Sequence, residues 1–182
     1  MIPAAAIAAL LASAALATTA ALAQLPVTTV DRVDLERYLG RWYEIARLPN
    51  KYQAECASDV TATYTARAPT VINVVNECRQ DDGMTKRADG VARIRDANTN
   101  AKLEVRFAPL ALAWLPFVWG DYWVLDLAPD YSHALVGVPN RDYLWVLART
   151  PKLDPAVYEQ LLAKASAQGF NIAKIQRTPQ TP

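Results

Sequence analysis

Between Asp31 and the end of the chain, only one long stretch has a helical pattern. It lies between Asp154 and Gly169, where Tyr158, Leu161, Leu162 and Ala165 recur at helical spacing as a single apolar stripe. Asp154 suits an N-cap, Pro155 the first helical position, and Gly169 the stop. More than a hundred residues before it read as short apolar runs separated by turns. That order leaves an all-β fold, a closed or sandwich-like antiparallel sheet with one helix.

The strands are legible by alternation. In Leu103-Glu104-Val105-Arg106-Phe107, the residues Leu103, Val105 and Phe107 face in, while Lys102, Glu104 and Arg106 face water. Val60, Ala62 and Tyr64 share a face before the turn at Ala68-Pro69-Thr70; Ile72, Val74 and Asn76 share one after it. Gly83, Asp96-Ala97-Asn98 and Pro139-Asn140 mark other turns, and Gly90 is expected to form a bulge at a barrel corner. Tyr122-Trp123-Val124-Leu125 and Tyr143-Leu144-Trp145-Val146-Leu147 are apolar on both faces, so something must cover their outsides. The apolar stripe of the helix is the obvious cover. Residues 171–176 are expected to return as a short strand, followed by a loose tail over 179–182.

Residues 2–23 are apolar and uncharged and close on Ala21-Leu22-Ala23, the small-residue pattern a signal peptidase reads, which favours cleavage before Gln24. The segment is also long enough to span a membrane, and no Lys or Arg precedes it, so an uncleaved anchor is the competing reading. Removing residues 1–23 from 182 leaves 159, one domain of ordinary size: an N-terminal segment 24–32, a body 33–178 and the tail 179–182. Lys plus Arg number 19 against 18 Asp plus Glu, which argues against a nucleic-acid partner. The two cysteines, Cys56 and Cys78, would pair in an oxidising compartment if Cys56 curled back toward Cys78, contributing about 3 kcal/mol; two free buried thiols are the alternative.

Catalytic and metal chemistry find little purchase. His133 is the single histidine and reads as a partly exposed strand residue. There is no HExxH, CxxC or glycine-rich phosphate loop, so neither a metal nor a cofactor is expected. Binding is the better prospect. By strand parity Tyr64, Asn76, Trp123 and Trp145 can point inward, either lining a cavity or filling a core. An inward amide at Asn76 among apolar neighbours calls for water or a ligand as partner. Glu44, on the face of Trp42, is either an anchor for a ligand headgroup or a structural acid; a carboxylate buried alone would be costly. Residues 109–119 form an uncharged apolar run containing Trp114, Phe117 and Trp119, with Pro109 and Pro116 against regular structure. Such a loop fits contact with a membrane or a lid over the barrel mouth.

Gly40-Arg41-Trp42-Tyr43-Glu44 follows a short helical run at Val33 to Leu39, and Gly40 allows a sharp exit from it. Trp42 can plug one end of a barrel, and Arg149, ending the strand that starts at Tyr143, can lie across its indole. Gly40-x-Trp42, Asp130-Tyr131 and Arg149, in that order, resemble the lipocalin family. Gly-Asp-Tyr-Trp-Val-Leu (120–125), Tyr-Leu-Trp-Val-Leu-Ala-Arg-Thr-Pro (143–151) and the helix ending at Gly169-Phe170 are similar to its subgroup of bacterial outer-membrane lipocalins, plant temperature-induced lipocalins and apolipoprotein D.

The resemblance implies an eight-stranded antiparallel up-and-down β-barrel, a calyx with one C-terminal α-helix outside and a short extra strand. It implies no enzyme activity, but binding of a fatty acid, lysophospholipid or other small hydrophobic ligand, serving lipid storage, transport or maintenance in the bacterial envelope. Tyr64, Asn76, Trp123 and Trp145 fall where apolipoprotein D has pocket residues. A carrier of a tetrapyrrole-like molecule, a membrane-surface interaction protein, and a lipocalin-fold enzyme using Glu44 are the rivals. The chain has no cysteine near residue 20 for an N-terminal lipid anchor, so export to the periplasm or outer-membrane association without that anchor is expected. Pro129 stands where lipocalins often carry Thr, so that turn lacks the hydroxyl.

Overall fold

Eight strands follow one another as a meander and close on themselves in the computed structural model, which describes residues 25–181. After the short helix α1 (Leu35–Tyr38) come β1 (Gly40–Arg47), β2 (Ser58–Ala68), β3 (Val71–Arg79), β4 (Thr85–Ile94), β5 (Lys102–Arg106), β6 (Gly120–Leu127), β7 (His133–Gly137) and β8 (Leu144–Ala148). Each pairs antiparallel with the next, and β1 pairs with both β2 and β8, so the barrel is closed. Helix α2 (Pro155–Ala167) and the two-residue strand β9 (Gln176–Arg177) complete the chain. The proposed signal peptide, 1–23, lies outside the described residues.

The helix forms as its caps dictate. Asp154 Oδ1 accepts from the amides of Ala156 and Val157, and the four buried residues of α2 are Tyr158, Leu161, Leu162 and Ala165. They pack on Leu125, Leu135, Leu144 and Val146, the outer faces of strands that are apolar on both sides. A separate inner cluster holds Trp42, Tyr64, Ile72, Val74, Leu103, Val124, Val136 and Leu147. Two apolar layers thus share one wall of strands.

Four details depart from the sequence reading. Gly90 is not a bulge: β4 runs in continuous register with β3, and the shifts fall between Glu44 and Ala46, in β2–β3, and between Val124 and Asp126. Gly90 instead makes room for Phe107, whose ring would lie 2.7 Å from any added Cβ. Arg106 does not face water; it is buried beneath Trp119. The strand expected over 171–176 shrinks to Gln176–Arg177, which pairs with Arg47 and Ala46. The tail is stitched rather than loose: Gln180 Nε2 donates to the carbonyls of Glu44 and Val60, and Thr181 bonds Asp59. There the tail bridges β1 and β2 beyond their last pairs, which end at Tyr43 and Thr61.

Candidate functional site

One end of the barrel is closed by a small set of interlocking groups. Gly40 adopts φ +93°, the left-handed region, and a Cβ there would meet Arg149 at 3.3 Å. Trp42 is fully buried and donates its indole N–H to the Tyr38 carbonyl at 2.9 Å. The Arg149 guanidinium lies 3.9 Å from the Trp42 ring centroid and donates to the carbonyls of Arg37, Arg41 and Tyr131. Tyr131 accepts from the Asp34 amide and lies under Arg37, while Asp130 holds its own turn by accepting from the Ser132 amide. Gly40, Trp42, Asp130, Tyr131 and Arg149, scattered over 110 residues of sequence, meet at this floor. A recess of about 700 Å³ opens at the same end, between α1 and the β2–β3 turn, with Leu35, Leu39, Ala66 and Ile72 in its wall.

Above the floor the lumen carries a feature that the sequence reading missed. Tyr122 bonds to the hydroxyls of both Tyr38 (2.8 Å) and Tyr64 (3.0 Å). Burial pushes Tyr64 up to about 12 and holds Tyr38 and Tyr122 well above the usual phenol range. Three phenols have three hydrogens to donate and use two within the cluster, so one remains for a further acceptor. Tyr122 has the parity of Val124, an inner-cluster residue, and this settles the neighbouring position too. Trp123 points outward, packing beside the cluster under α2 with the Lys102 ammonium 4.5 Å from its ring centroid. The expectation that Trp123 lines the lumen is therefore wrong, and Tyr122 takes its place.

Toward the other end the wall opens. Asn76, Val105, Tyr122 and Trp145 have inward parity yet keep partial solvent access, whereas Trp42, Val124 and Val136, lower down, are closed off. Asn76 Oδ1 is buried with no hydrogen-bond partner among the described residues. Trp145 donates its indole N–H to Gln53 Oε1 at 2.9 Å and stacks on Tyr143, which contacts Tyr52 at the rim.

Glu44 is inward and buried, as its parity with Trp42 requires, but both its oxygens are taken. Arg47 donates to Oε1 at 2.7 Å, the Thr178 hydroxyl to the same oxygen at 2.6 Å, and Gln53 to Oε2 at 2.6 Å. Arg47 also donates to the Cys56 carbonyl at 3.2 Å. This arrangement matches the structural acid rather than the headgroup anchor: Glu44 ties β1, the β1–β2 loop and the C-terminal tail together. The Cys56–Cys78 disulfide, spanning a Cα separation of 5.5 Å, fixes that loop to β3 at the mouth. Cys56 reaches it by the curl expected, through the 3-10 turn Lys51–Gln53.

The β5–β6 loop presents large apolar side chains to solvent. Trp114 and Phe117 are 78% and 79% exposed. Trp119 is separated from them: it turns back against the barrel's outer face, 3.9 Å from the Arg93 guanidinium, and donates to the Ala113 carbonyl. Among the described residues the His133 side chain bonds the neighbouring Ser132 hydroxyl, and no group of His, Cys, Asp and Glu is placed to hold a metal.

These elements agree with known proteins over most of the chain. A Lipocalin-like domain is matched over residues 33–180. The chain is 44% identical to temperature-induced lipocalin-1 of Arabidopsis thaliana over 154 residues, covering 84% of this chain and 82% of that one. It is 42% identical to the outer membrane lipoprotein Blc of Escherichia coli K12 (81% and 80% covered) and 32% identical to mouse apolipoprotein D (82% and 78% covered). Among solved structures, insecticyanin from the tobacco hornworm Manduca sexta superposes with a TM-score of 0.65 at 22% identity, covering 85% of each chain. H1 crustacyanin from the lobster Homarus americanus gives 0.63 at 15%, covering 84% and 81%. A closed eight-stranded meander with α2 outside, a tryptophan floor under an arginine and a domain match from Val33 to Gln180 place this chain in the lipocalin family.

Proposed function

We propose that this protein holds a fatty acid, lysophospholipid or similar apolar molecule in its barrel and serves lipid storage, transport or maintenance in the cell envelope, without catalysing a reaction on it. The observation that carries this reading is the pairing of an accessible apolar wall with unsatisfied polar atoms inside it. Val105 and Trp145 supply surface for an acyl chain, Asn76 Oδ1 needs a donor, and the tyrosine cluster has one hydrogen left to give. A hydroxyl-bearing or protonated headgroup satisfies both at once, where an alkane would satisfy neither. Each methylene withdrawn from water contributes about 0.8 kcal/mol, so burial alone gives useful affinity. Family membership supports a small hydrophobic ligand, and the name of the Escherichia coli relative supports the envelope as the setting.

The test is a titration of the purified protein with a lysophospholipid and a fatty acid, followed by tryptophan fluorescence. Saturation is expected, with Trp145→Phe removing much of the signal and Asn76→Leu weakening ligands with polar heads more than bare hydrocarbons. A linear, non-saturating response to every acyl compound would overturn the reading. Cell fractionation tests the envelope assignment separately.

A further inference from the structure

The barrel wall is not strand against strand along its whole height. β1 and β2 pair directly from Gly40–Tyr64 to Tyr43–Thr61, although both strands run on toward the mouth. Over that upper stretch the C-terminal tail bridges them. The Thr178 amide donates to the Ile45 carbonyl at 3.0 Å, the Asp59 amide to the Pro179 carbonyl at 2.9 Å, and Gln180 Nε2 to the carbonyls of Glu44 and Val60 at 2.8 Å each. One side-chain amide thus links two strands where a ladder rung would stand. From Gln176 to Thr181 only Thr178 is buried, so polar bonds hold the tail and no apolar face does. A segment held in that way opens at lower cost than a packed strand.

The same tail is wired to the lumen. The Thr178 hydroxyl donates to Glu44 Oε1 at 2.6 Å, Gln53 Nε2 donates to Glu44 Oε2 at 2.6 Å, and the Trp145 indole N–H donates to Gln53 Oε1 at 2.9 Å. A carboxylate only accepts and an indole N–H only donates, so the Gln53 amide between them has one workable orientation. Asn50 Nδ2 reinforces it by donating to the same Oε1 at 2.8 Å. We infer that Thr178 is a positioning residue for ligand binding: acting through Glu44 and Gln53 it holds Trp145 in place, and the tail is a removable stave whose seating controls passage of ligand through the upper barrel. The inference rests on the lumen being the ligand site and names what regulates that site.

Two further features suit a stave that leaves and returns. The seated network is not fully satisfied: Arg47 Nη1 bonds Glu44 and Thr178, but its Nε is buried with no partner among the described residues. A recess of about 220 Å³ also lies beside the tail, with Tyr43, Asp59, Thr61, Gln180 and Thr181 in its wall. There the Asp59 carboxylate accepts from the Thr181 amide at 2.6 Å and from its hydroxyl at 2.7 Å, and Arg79 Nε donates to it at 3.2 Å. The Cys56–Cys78 bridge ties the β1–β2 loop to β3 without using any tail residue, so that tie survives when the tail lifts.

Three variants of the full chain test this. Thr178→Val removes the hydroxyl at nearly constant shape, Thr178→Ser keeps it, and Gln180→Ala cuts the bridge between β1 and β2 at a partly exposed position. The first readout uses no ligand: the indole N–H resonance of Trp145 in protein labelled with nitrogen-15 tryptophan, assigned with Trp145→Phe. In Thr178→Val it is expected to shift and to exchange about tenfold faster, returning to the parental value in Thr178→Ser, while the Trp42 indole, bonded to Tyr38, stays unchanged. The second readout is stopped-flow displacement of the fluorescent fatty acid cis-parinarate. Dissociation is expected to be about fivefold faster in Thr178→Val and in Gln180→Ala, and parental in Thr178→Ser. An unmoved Trp145 indole in Thr178→Val would overturn the inference, as would equal changes at Trp42 and Trp145, which mark general loosening. A moved indole with parental dissociation in both variants would overturn control of passage. A parent that never saturates with cis-parinarate would overturn the lumen as a fatty-acid site and the control of passage with it, while the indole shift, read without ligand, still decides the relay.

Discussion

The floor and the mouth of this barrel are built on opposite terms. At the floor, Arg149 satisfies three carbonyls while stacking on Trp42, Gly40 is shaped to admit it, and no large apolar group is exposed. At the mouth, a disulfide and a buried ion pair restrain the β1–β2 loop, an amide oxygen lacks a partner, and every exposed large hydrophobe of the described chain is gathered. A closed end can put all its groups toward stability. An end that admits a ligand must leave some surface and some hydrogen bonds unsatisfied, and it needs cross-links to hold its shape.

That contrast can be broken by measurement, most sharply at Trp42. Trp42→Ala is expected to cost about 3–5 kcal/mol in denaturant unfolding, through lost burial, a cavity and the loss of the Arg149 stack. If the cost were below about 1 kcal/mol, the floor would not be the stable end. Next in size is the bridge. Cys56→Ser/Cys78→Ser is expected to lose about 3 kcal/mol in the chain-entropy model. The loss should loosen the mouth first, seen as faster amide exchange in the β1–β2 loop while the amides around Trp42 stay protected; uniform exchange would erase the distinction.

A smaller effect lies between the two ends. The folded-state pKa of Tyr64 is raised to about 12, above the unfolded value near 10. Its contribution is fully present below pH 10 and is lost as pH rises toward 12, because the unfolded chain releases the phenol proton first. The slope is about 1.4 kcal/mol per pH unit for each such tyrosine, with Tyr38 and Tyr122 shifted in the same direction. Tyr64→Phe should reduce the alkaline slope by that amount, measured from unfolding midpoints between pH 9 and 12. Smallest of all, Phe117→Ser should change stability by no more than about 0.5 kcal/mol, since its side chain is exposed. A large loss there would mean the rim is structural.

Much of this architecture was legible before folding. Local rules suffice for α2, because capping and a 3.6-residue stripe are properties of adjacent residues, and for most strand positions, because alternation is a property of the backbone. The floor was legible because Gly40, Trp42 and Arg149 each have a distinctive chemistry. The lumen was not. Tyr122 and Trp123 are adjacent aromatics in a strand covered on both faces, so nothing local says which one turns inward. The position of α2 decides it. The β-bulge after Glu44 is equally silent in sequence, yet it brings Arg47 onto the inner face beside Glu44 and converts a candidate anchor into half of an ion pair. Asn76 could be read as needing a partner from its apolar neighbours alone; that its oxygen has none required the packed barrel.

By itself, then, the sequence determined an antiparallel sheet of short strands, the helix with its buried stripe and the candidates for the floor, since those follow from period, caps and a few large or unusual side chains; the closed eight-stranded meander was implied by the family resemblance. Tertiary structure alone decided which aromatics face the lumen, where the C-terminal tail is bound, and that Leu25, Tyr52 and Met84 converge on the rim that carries the β5–β6 loop. The reason is geometric. In a closed sheet, strand closure and bulges set the register, and register brings residues distant in sequence to the same face or the same end.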